Sequence, residues 1–380
     1  MSELVLRNAN IVLRDEVVHG AVHVKNGVIA DIDTGPSALG EDFEGDYLIP
    51  GLVELHTDHL EGHYSPRPGV RWHAIAAVQA HDGQIATSGI TTVFDCLRMG
   101  SDEDGGFDPQ EMRALADAIK TAQQDGRLRA EHFIHLRCEV SAPDVLNAFD
   151  RFRGDSRVRL ASLMDHAPGQ RQFQTMDQYT LYYKTKRGLS DEAFARYVDM
   201  RKEQSNRYSA PHRKAIADHC RGAGVTLASH DDATLDHVDE AVEQGVRLAE
   251  FPTSIEAARA SHEAGLSVLM GAPNVVRGGS HSGNIAARDL AEAGILDVLS
   301  SDYVPSSLLY GAFKLADDVE AISLPQALAL VTATPARTVG FDDRGVISQG
   351  MRADLVRVRH PHRHDIPVVR GVWRGGMRVA

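Results

Sequence analysis

Residues 48–59 read Leu48-Ile49-Pro50-Gly51-Leu52-Val53-Glu54-Leu55-His56-Thr57-Asp58-His59. The apolar run is typical of a buried β-strand, and it ends in side chains that commonly bind metal ions. Because alternate residues of a strand point to the same side, His56 and Asp58 should present an imidazole and a carboxylate to one point. The stretch therefore predicts the first strand of an α/β barrel with a metal site at its C-terminal end. The competing interpretation is a strand end with two solvated polar residues.

The middle of the chain alternates short apolar segments with segments of helical pattern, such as 111–124, 211–221 and 235–243. Eight predicted strands end near Asp58, Asp95, Glu139, His166, His230, Glu250, Asn274 and Asp302. Repeated strand–helix units of this kind predict the α/β class, as a (β/α)8 TIM barrel. The connection 168–210 is long, and long insertions at the catalytic face are commonly lids.

Both ends of the chain consist of short β-rich runs separated by turn residues. Residues 11–13 and 28–30 are examples near the start, and residues 355–358 are an example near the end. Runs with this punctuation predict strands rather than helices. We therefore predict a small β-sandwich domain built from residues 1–47 and 345–380, and a metal-dependent barrel over residues 48–344.

Composition restricts the class of protein. The chain has 380 residues, 43% hydrophobic and 24% charged, which is ordinary for a soluble globular protein. Its net charge of −13 disfavours non-specific nucleic-acid binding. No apolar run reaches the roughly 20 residues needed to span a bilayer, and the first residues lack a signal-peptide pattern. Three cysteines without metal-site spacing suggest reduced thiols. We expect a cytoplasmic protein without nucleic-acid or membrane partners, and leave open whether it forms a homo-oligomer.

The predicted strand ends supply a set of metal-ligand side chains: His56, Asp58, Glu139, His166, His230 and Asp302. A single histidine is usually structural, but a set of this size at one face of a barrel favours a metal site. Mixed imidazole and carboxylate ligands suit one or two ions of zinc, manganese or iron. Glu139 would bridge two ions, and Asp302 would act as general base toward an activated water. Residues 59–63 add further histidines, which either shift the metal site or lie on the surface.

A glycine-rich segment, residues 277–284, follows the seventh predicted strand. Glycines let backbone N–H groups approach a phosphate, and the hydroxyl and guanidinium groups nearby add donors. Candidate substrate contacts are Arg277, Gly278, Gly279, Ser280, His281, Ser282, Arg137 and Arg171. His281 is also a catalytic candidate, because it would assist the leaving group. A helix starting near Asn284 would add its N-terminal dipole. The competing interpretation is a flexible turn.

The Pro50-Gly51 strand, the barrel, the two-ended β domain and the segment 345–356 resemble the amidohydrolase superfamily. Two features depart from the usual pattern of that superfamily. Its first strand usually ends His-x-His, whereas this one ends His56-Thr57-Asp58. Its carboxylated lysine is also missing from the fourth predicted strand. These departures count against ordinary amide hydrolysis as the activity.

Longer stretches resemble one branch of the superfamily, the PhnM family of ribose triphosphate diphosphatases. They are residues 56–58, 65–68, 136–139, 162–173, 228–234, 270–274 and 277–284. The resemblance implies a small-molecule triphosphate, α-D-ribose 1-methylphosphonate 5-triphosphate, cleaved between its α and β phosphates. The products would be pyrophosphate and the 5-phosphate, in the carbon–phosphorus lyase pathway of phosphonate catabolism. Two alternatives remain: another amidohydrolase acting on an N-acyl amino acid or cyclic amide, and a catalytically silent binding scaffold.

Overall fold

The computed structural model describes residues 3–101, 107–172, 179–180, 184, 190–280 and 283–380. The strands are β1 (Glu3–Val12), β2 (Val17–Lys25), β3 (Val28–Asp33), β4 (Glu41–Asp42), β5 (Tyr47–Pro50), β6 (Leu52–Thr57), β7 (Ile90–Met99), β8 (Glu131–Glu139), β9 (Val158–Met164), β10 (Thr226–His230), β11 (Leu248–Glu250), β12 (Ser267–Gly271), β13 (Val298–Ser300), β14 (Leu355–Arg359), β15 (Val368–Arg374) and β16 (Met377–Arg378). The helices are α1 (His59–Tyr64), α2 (Ala74–Thr87), α3 (Pro109–Gln124), α4 (Val145–Asp150), α5 (Asp191–Ala223), α6 (Leu235–Gln244), α7 (Ile255–Glu263), α8 (Ala272–Arg277), α9 (Ala287–Glu292), α10 (Ser307–Asp318), α11 (Leu324–Ala329) and α12 (Ala333–Thr338).

Strands β6 to β13 form a parallel sheet in sequence order, which confirms the predicted barrel. Every residue of β6 is buried, as the near-continuous apolar run requires. The first and last strands meet where Asp302 N–H donates to the His56 carbonyl at 3.1 Å and Asp58 N–H donates to the Asp302 carbonyl at 3.0 Å. These bonds nearly close the barrel, and they place three candidate metal ligands side by side.

A buried carboxylate reinforces this closure. Glu54 lies within β6 and is fully buried. One of its oxygens accepts from the His56 N–H at 2.6 Å, and the other accepts from the Ser301 N–H. Burial raises the pKa of Glu54 to about 7. The side chain therefore joins the two strands that carry His56 and Asp302.

The structure corrects two predicted strand ends and one helix start. Strand β7 continues to Met99, so Asp95 lies inside the strand, and β12 stops at Gly271, so Asn274 lies in α8. The helix predicted near Asn284 begins at Ala287. Pro273 explains why the seventh barrel strand, β12, ends earlier than predicted. Proline cannot donate a hydrogen bond to a neighbouring strand, and it is favoured in the first turn of a helix.

The two ends of the chain form one sheet. Its order is β16-β15-β14-β5-β1-β2-β3, with β4 beside β1. Strands β5 and β14 pair antiparallel, with Leu355 opposite Pro50, so the N-terminal and C-terminal segments are directly hydrogen-bonded neighbours. This confirms the two-ended β unit. The division into residues 1–47 and 345–380 against 48–344 stays a prediction, because β5 extends the sheet to Pro50.

Gly51 is the point where the chain passes from this sheet into the barrel. Its N–H donates to the Asp354 carbonyl at 2.8 Å. A Cβ at this position would collide with the Thr91 side chain. The close approach of the two units therefore explains the glycine in the Pro50-Gly51 motif.

The predicted lid falls only partly within the described residues. Residues 190–210 include the whole first half of α5, a helix that continues to Ala223 and contains the predicted segment 211–221. Lys184 forms an ion pair with Asp191. The other members of the predicted basic and aromatic run, residues 182, 183, 186 and 187, lie outside the described residues. Lid closure therefore stays a prediction. None of the described helices has the length and apolarity needed to cross a bilayer.

Candidate active site

A cavity of about 280 Å³ opens at the C-terminal end of the barrel strands. This is the end at which barrels of this class place their ligands, and the volume is near the lower limit for small-molecule sites. The predicted site residues that line it are His56, Asp58, Arg137, His166, His230, Arg277, Gly279, Ser280 and Asp302. His281 and Ser282 lie outside the described residues. Residues far apart in the sequence thus meet in one cavity.

The first ligand group joins the two strands that close the barrel. It consists of His56, Asp58 and Asp302, whose ligand atoms lie within 4.8 Å of one another. The Nε2 atom of His56 lies 4.0 Å from Oδ1 of Asp58. The spacing leaves room for an ion between these atoms, and the set matches three of the predicted ligands.

A second ligand group lies on the neighbouring strand ends, and it includes a residue that the sequence analysis missed. Oδ2 of Asp231 lies 3.6 Å from Nε2 of His166 and 3.5 Å from Nε2 of His230. Asp231 has a φ of 58°, which turns the chain sharply after β10. The signal was present as two consecutive carboxylates after His230, but only the turn shows which one faces the cavity.

His56, His166 and His230 each direct Nδ1 at a glutamate carboxylate. Glu250 accepts from Nδ1 of His56 at 3.1 Å and from Nδ1 of His230 at 3.0 Å. Glu139 accepts from Nδ1 of His166 at 2.8 Å. A carboxylate on one ring nitrogen selects the tautomer whose other nitrogen is free to bind a metal. Each Nε2 atom is therefore available at the cavity.

This arrangement changes the role of Glu139. The sequence analysis predicts it as a ligand that bridges two ions, but it does not line the cavity. It is buried behind His166, where Ser141 donates to it and Arg201 lies 3.4 Å away. These contacts place Glu139 beside His166 and Arg201 rather than at the cavity, so its predicted role as a bridging ligand is not supported by its position.

The unpaired atoms of the site fit a divalent cation. Oδ1 of Asp58 and Oδ2 of Asp231 are buried and have no hydrogen-bond partner among the described residues. An unpaired buried carboxylate oxygen is costly, and a cation bound between the two ligand groups would remove that cost. Imidazole nitrogens and carboxylate oxygens together suit zinc, manganese or iron. The residue groups thus support the predicted divalent metal without identifying it.

The pKa of Asp302 is shifted upward, whereas the pKa values of Asp58 and Asp231 are shifted downward. Burial would raise the pKa of Asp58, but the Arg137 guanidinium holds it below its usual range. Burial would also raise the pKa of Asp231, but His230 lowers it. Burial and the nearby Asp58 carboxylate raise the pKa of Asp302 to about 6. Asp302 is therefore the carboxylate best suited to accept a proton near neutral pH.

The predicted arginines occupy three different environments. Arg137 lines the cavity and donates to Asp58. Arg171 does not line it, because its guanidinium is buried in ion pairs with Asp232 and Glu240. Arg277, at the C-terminal end of α8, is exposed at the cavity and forms no ion pair with any described residue. Arg277 is thus the guanidinium that remains available to a ligand, and Arg171 is placed for a structural role instead.

The role of Glu250 can be tested directly. Replacing Glu250 with glutamine should weaken metal binding by about 10–100-fold, because an amide can accept from only one of the two Nδ1–H groups. Metal affinity is measured by titration against a competing chelator. Exposed Glu243 provides the matched control, Glu243→Gln, which should bind as the parent does. Parent-like affinity in Glu250→Gln would show that Glu250 does not position the ligands.

The fold and the cavity define a class, an α/β barrel whose strand ends combine imidazoles and carboxylates. Residues 83–380 match the amidohydrolase family. The chain is 47% identical over 380 residues to α-D-ribose 1-methylphosphonate 5-triphosphate diphosphatase of Escherichia coli (strain K12), covering 99% of this chain and 100% of that one. Imidazolonepropionase of Rubrobacter xylanophilus is 26% identical over 356 residues, which cover 90% of this chain and 82% of that one.

Solved structures agree on the fold. The structure of 5-methylcytosine deaminase from Klebsiella pneumoniae, liganded with phosphonocytosine, superimposes with a TM-score of 0.67 at 15% identity. The superposition covers 99% of this chain and 98% of that one, so it includes the terminal sheet as well as the barrel. The chain belongs to the amidohydrolase family, in the branch that contains the Escherichia coli diphosphatase. The resemblance seen in the sequence motifs is confirmed.

Proposed function

We propose that this protein hydrolyses α-D-ribose 1-methylphosphonate 5-triphosphate to α-D-ribose 1-methylphosphonate 5-phosphate and pyrophosphate, in phosphonate catabolism. The observation that carries the proposal is the 47% identity to the Escherichia coli diphosphatase over 99% of this chain. The geometry supports it, because the cavity combines candidate ligands for a divalent metal with Arg277, which forms no ion pair with any described residue. The reaction is displacement at phosphorus with pyrophosphate as leaving group.

The metal site is proposed as one or two zinc, manganese or iron ions held by His56, Asp58, His166, His230, Asp231 and Asp302. A bound divalent ion would supply Lewis-acid polarisation of the phosphate and lower the pKa of a water. The arrangement of ligands into two groups, with Asp231 in one and Asp58 in the other, favours two ions. Glu250 and Glu139 keep the imidazole rings fixed, so the chain holds the ligand set before substrate arrives.

Asp302 is proposed as the group that takes the proton of the attacking water. Its carboxylate faces the cavity beside Asp58, and its raised pKa of about 6 matches a proton acceptor near neutral pH. Its backbone is held by the two hydrogen bonds that close the barrel, so the carboxylate has a defined position. His281 stays a prediction as the residue that assists the leaving group.

The phosphate chain is proposed to lie along the rim formed after α8. Gly278 and Gly279 have φ values of 81° and 156°, which only glycine adopts readily. Gly279 and Ser280 line the cavity with Arg277, and a Cβ at Gly279 would meet no atom of a described residue within 4 Å. Open space beside a glycine backbone allows close approach of a phosphate to the main chain. This geometry supports the predicted cradle over the flexible-turn interpretation.

A pyrophosphate-release assay tests the proposal and separates it from the alternatives. The substrates are α-D-ribose 1-methylphosphonate 5-triphosphate, nucleoside triphosphates, N-acyl amino acids and cyclic amides, each with added Zn²⁺, Mn²⁺ or Fe²⁺. Pyrophosphate released from the ribose triphosphate supports the proposal. Turnover of an amide alone would favour the other amidohydrolase activity. Metal binding without turnover of any compound would favour the binding scaffold.

Arg277 is expected to contribute to substrate binding rather than to the metal site. Replacing it with alanine should raise KM for the triphosphate by roughly 10–100-fold, the loss expected for a hydrogen-bonded charge pair. Metal content should stay unchanged, because Arg277 is not one of the proposed metal ligands. Arg259, an exposed arginine on α7, provides the control variant Arg259→Ala. An unchanged KM in Arg277→Ala would place the phosphate cradle elsewhere.

The cellular setting forms part of the same proposal. Cys96, Cys138 and Cys220 are free and buried, as expected for a reducing cytoplasm. The proposed partner is the small-molecule substrate, without nucleic acid. Fractionation of cells and measurement of the thiol state would test the location.

A further inference from the structure

Helices α1 and α2 pack against each other beside the barrel and carry a second cluster of imidazoles. His59 and His63 lie one turn apart on α1, and His81 faces them from α2. The ring centres are 4.9 Å apart for His59 and His63, and 6.0 Å from each of these to His81. None of the three lines the catalytic cavity. The cluster therefore needs its own explanation.

His81 forms the buried base of this cluster. Its Nε2 atom lies 2.8 Å from Oδ1 of Asp95, whose other oxygen lies 2.7 Å from Nδ1 of His132. His132 in turn lies 3.2 Å from Asp82. This chain of hydrogen bonds leaves Nδ1 of His81 buried, with no hydrogen-bond partner among the residues that the structure describes. A carboxylate on one nitrogen and a free opposite nitrogen is the arrangement of a metal-binding histidine.

The other two rings lie next to this base. Nε2 of His63 is also buried and has no hydrogen-bond partner in the described part of the chain. Nε2 of His59 lies 2.8 Å from Oε1 of Gln84. Burial and the neighbouring imidazoles lower the pKa of His63, and burial lowers the pKa of His81. Neutral rings keep a lone pair for coordination, and they avoid the repulsion that three imidazolium ions would create.

We propose that His59, His63 and His81 form a second metal site, separate from the catalytic ligands, for a borderline divalent ion such as Zn²⁺, Ni²⁺ or Cu²⁺. Imidazoles bound to one zinc at about 2.0–2.1 Å have ring centres about 5 Å apart. His59 and His63 have this spacing at 4.9 Å, whereas the 6.0 Å from each of them to His81 requires the rings to move together when the ion binds. The Gln84 amide oxygen or a water supplies the fourth position. The pure imidazole set distinguishes this site from the mixed carboxylate set of the cavity, because it favours softer ions.

Such a site would act on the catalytic centre through α1. Asp58 directly precedes this short helix, and Glu61 on its other side binds Arg98 at 2.9 Å. Both Asp58 and Arg98 line the catalytic cavity. A metal that joins α1 to α2 would therefore fix the helix that follows the first catalytic strand. The ion would stabilise the site without taking part in the reaction.

The test compares zinc stoichiometry in the full-length parent with His59→Ala and His63→Ala. Both histidines are partly exposed, unlike fully buried His81, so their replacement leaves the core intact. Each protein is stripped with a chelator, titrated with Zn²⁺ and analysed for bound metal. The parent should bind about one equivalent more than either variant. The control His262→Ala, on α7, should match the parent.

A second measurement needs no mutation. Carbethoxylation of the parent is mapped by peptide mass spectrometry with and without Zn²⁺, and zinc should protect His59 and His63 while leaving His262 unaffected. Zinc should also raise the Tm of the parent more than that of either variant. Equal zinc stoichiometry in the parent and both variants, or equal labelling of His59 and His63 with and without zinc, would overturn the proposal. The pyrophosphate-release assay reports on the catalytic site, so failure of one proposal does not imply failure of the other.

Discussion

Replacing Asp302 with asparagine should lower turnover by about 10²–10⁴-fold, the contribution of a well-placed general base. Asparagine keeps the size and polarity of the side chain but cannot accept the proton of the attacking water. It also tolerates the φ of 53° at this position, so the turn after β13 should survive. The two backbone hydrogen bonds that close the barrel do not involve the side chain. The variant therefore separates loss of the base from loss of the fold.

The measurement is steady-state pyrophosphate release at saturating metal, with metal content determined on the same samples. Exposed Asp289, in the first turn of α9, provides the control Asp289→Asn, which should turn over at the parent rate. A parent-like rate for Asp302→Asn at saturating metal would remove Asp302 from the role of general base. A lower rate that recovers on adding metal would assign it to metal binding alone.

Replacing His230 with alanine should lower bound metal and turnover together. Its Nε2 atom faces Asp231, and its Nδ1 atom donates to Glu250, so the change removes a ligand. It also leaves the same Glu250 oxygen with the Ser162 hydroxyl as its remaining donor. The loss of metal affinity should exceed the roughly 10–100-fold loss expected when a residue that only orients a ligand, such as Glu250, is replaced. Asp58→Ala should behave in the same way, because Asp58 contributes to the other ligand group.

Metal content after dialysis and turnover without added metal are the two readouts. The control is His262→Ala, whose side chain pairs with Asp297 on the outside of the barrel. Normal metal content with normal turnover in His230→Ala would contradict the ligand assignment. Normal metal content with reduced turnover would restrict His230 to substrate positioning.

That the side chains at the strand ends meet in one cavity could be predicted, because barrel topology leaves few alternatives. His56, His166, His230 and Asp302 each follow an apolar run, and parallel strands of one barrel bring such ends to a common face. Spacing within one strand also placed His56 and Asp58 on the same side. These inferences need only the period of a strand and the direction of the sheet.

The distance of a strand-end side chain from the cavity could not be predicted in this way. Glu139 and Glu250 end strands as His230 does, yet they lie behind the imidazoles. Asp231 follows His230 directly and turns toward the cavity because its backbone adopts a positive φ. Which carboxylate binds an ion and which orients a ring depends on the packing of neighbouring strands.

The sequence by itself determined the α/β barrel, the two-ended β unit, the face that carries the chemistry and the family of the chain. Those features follow from local periodicity and from long motifs, which the chain carries whatever its environment. Only the tertiary structure decided that Arg277 forms no ion pair with a described residue while Arg171 is buried against Asp232 and Glu240. Only the tertiary structure also decided that His81 meets His59 and His63. These pairings join residues from different elements, and the free energy of a charge depends on the partners and the burial that packing provides.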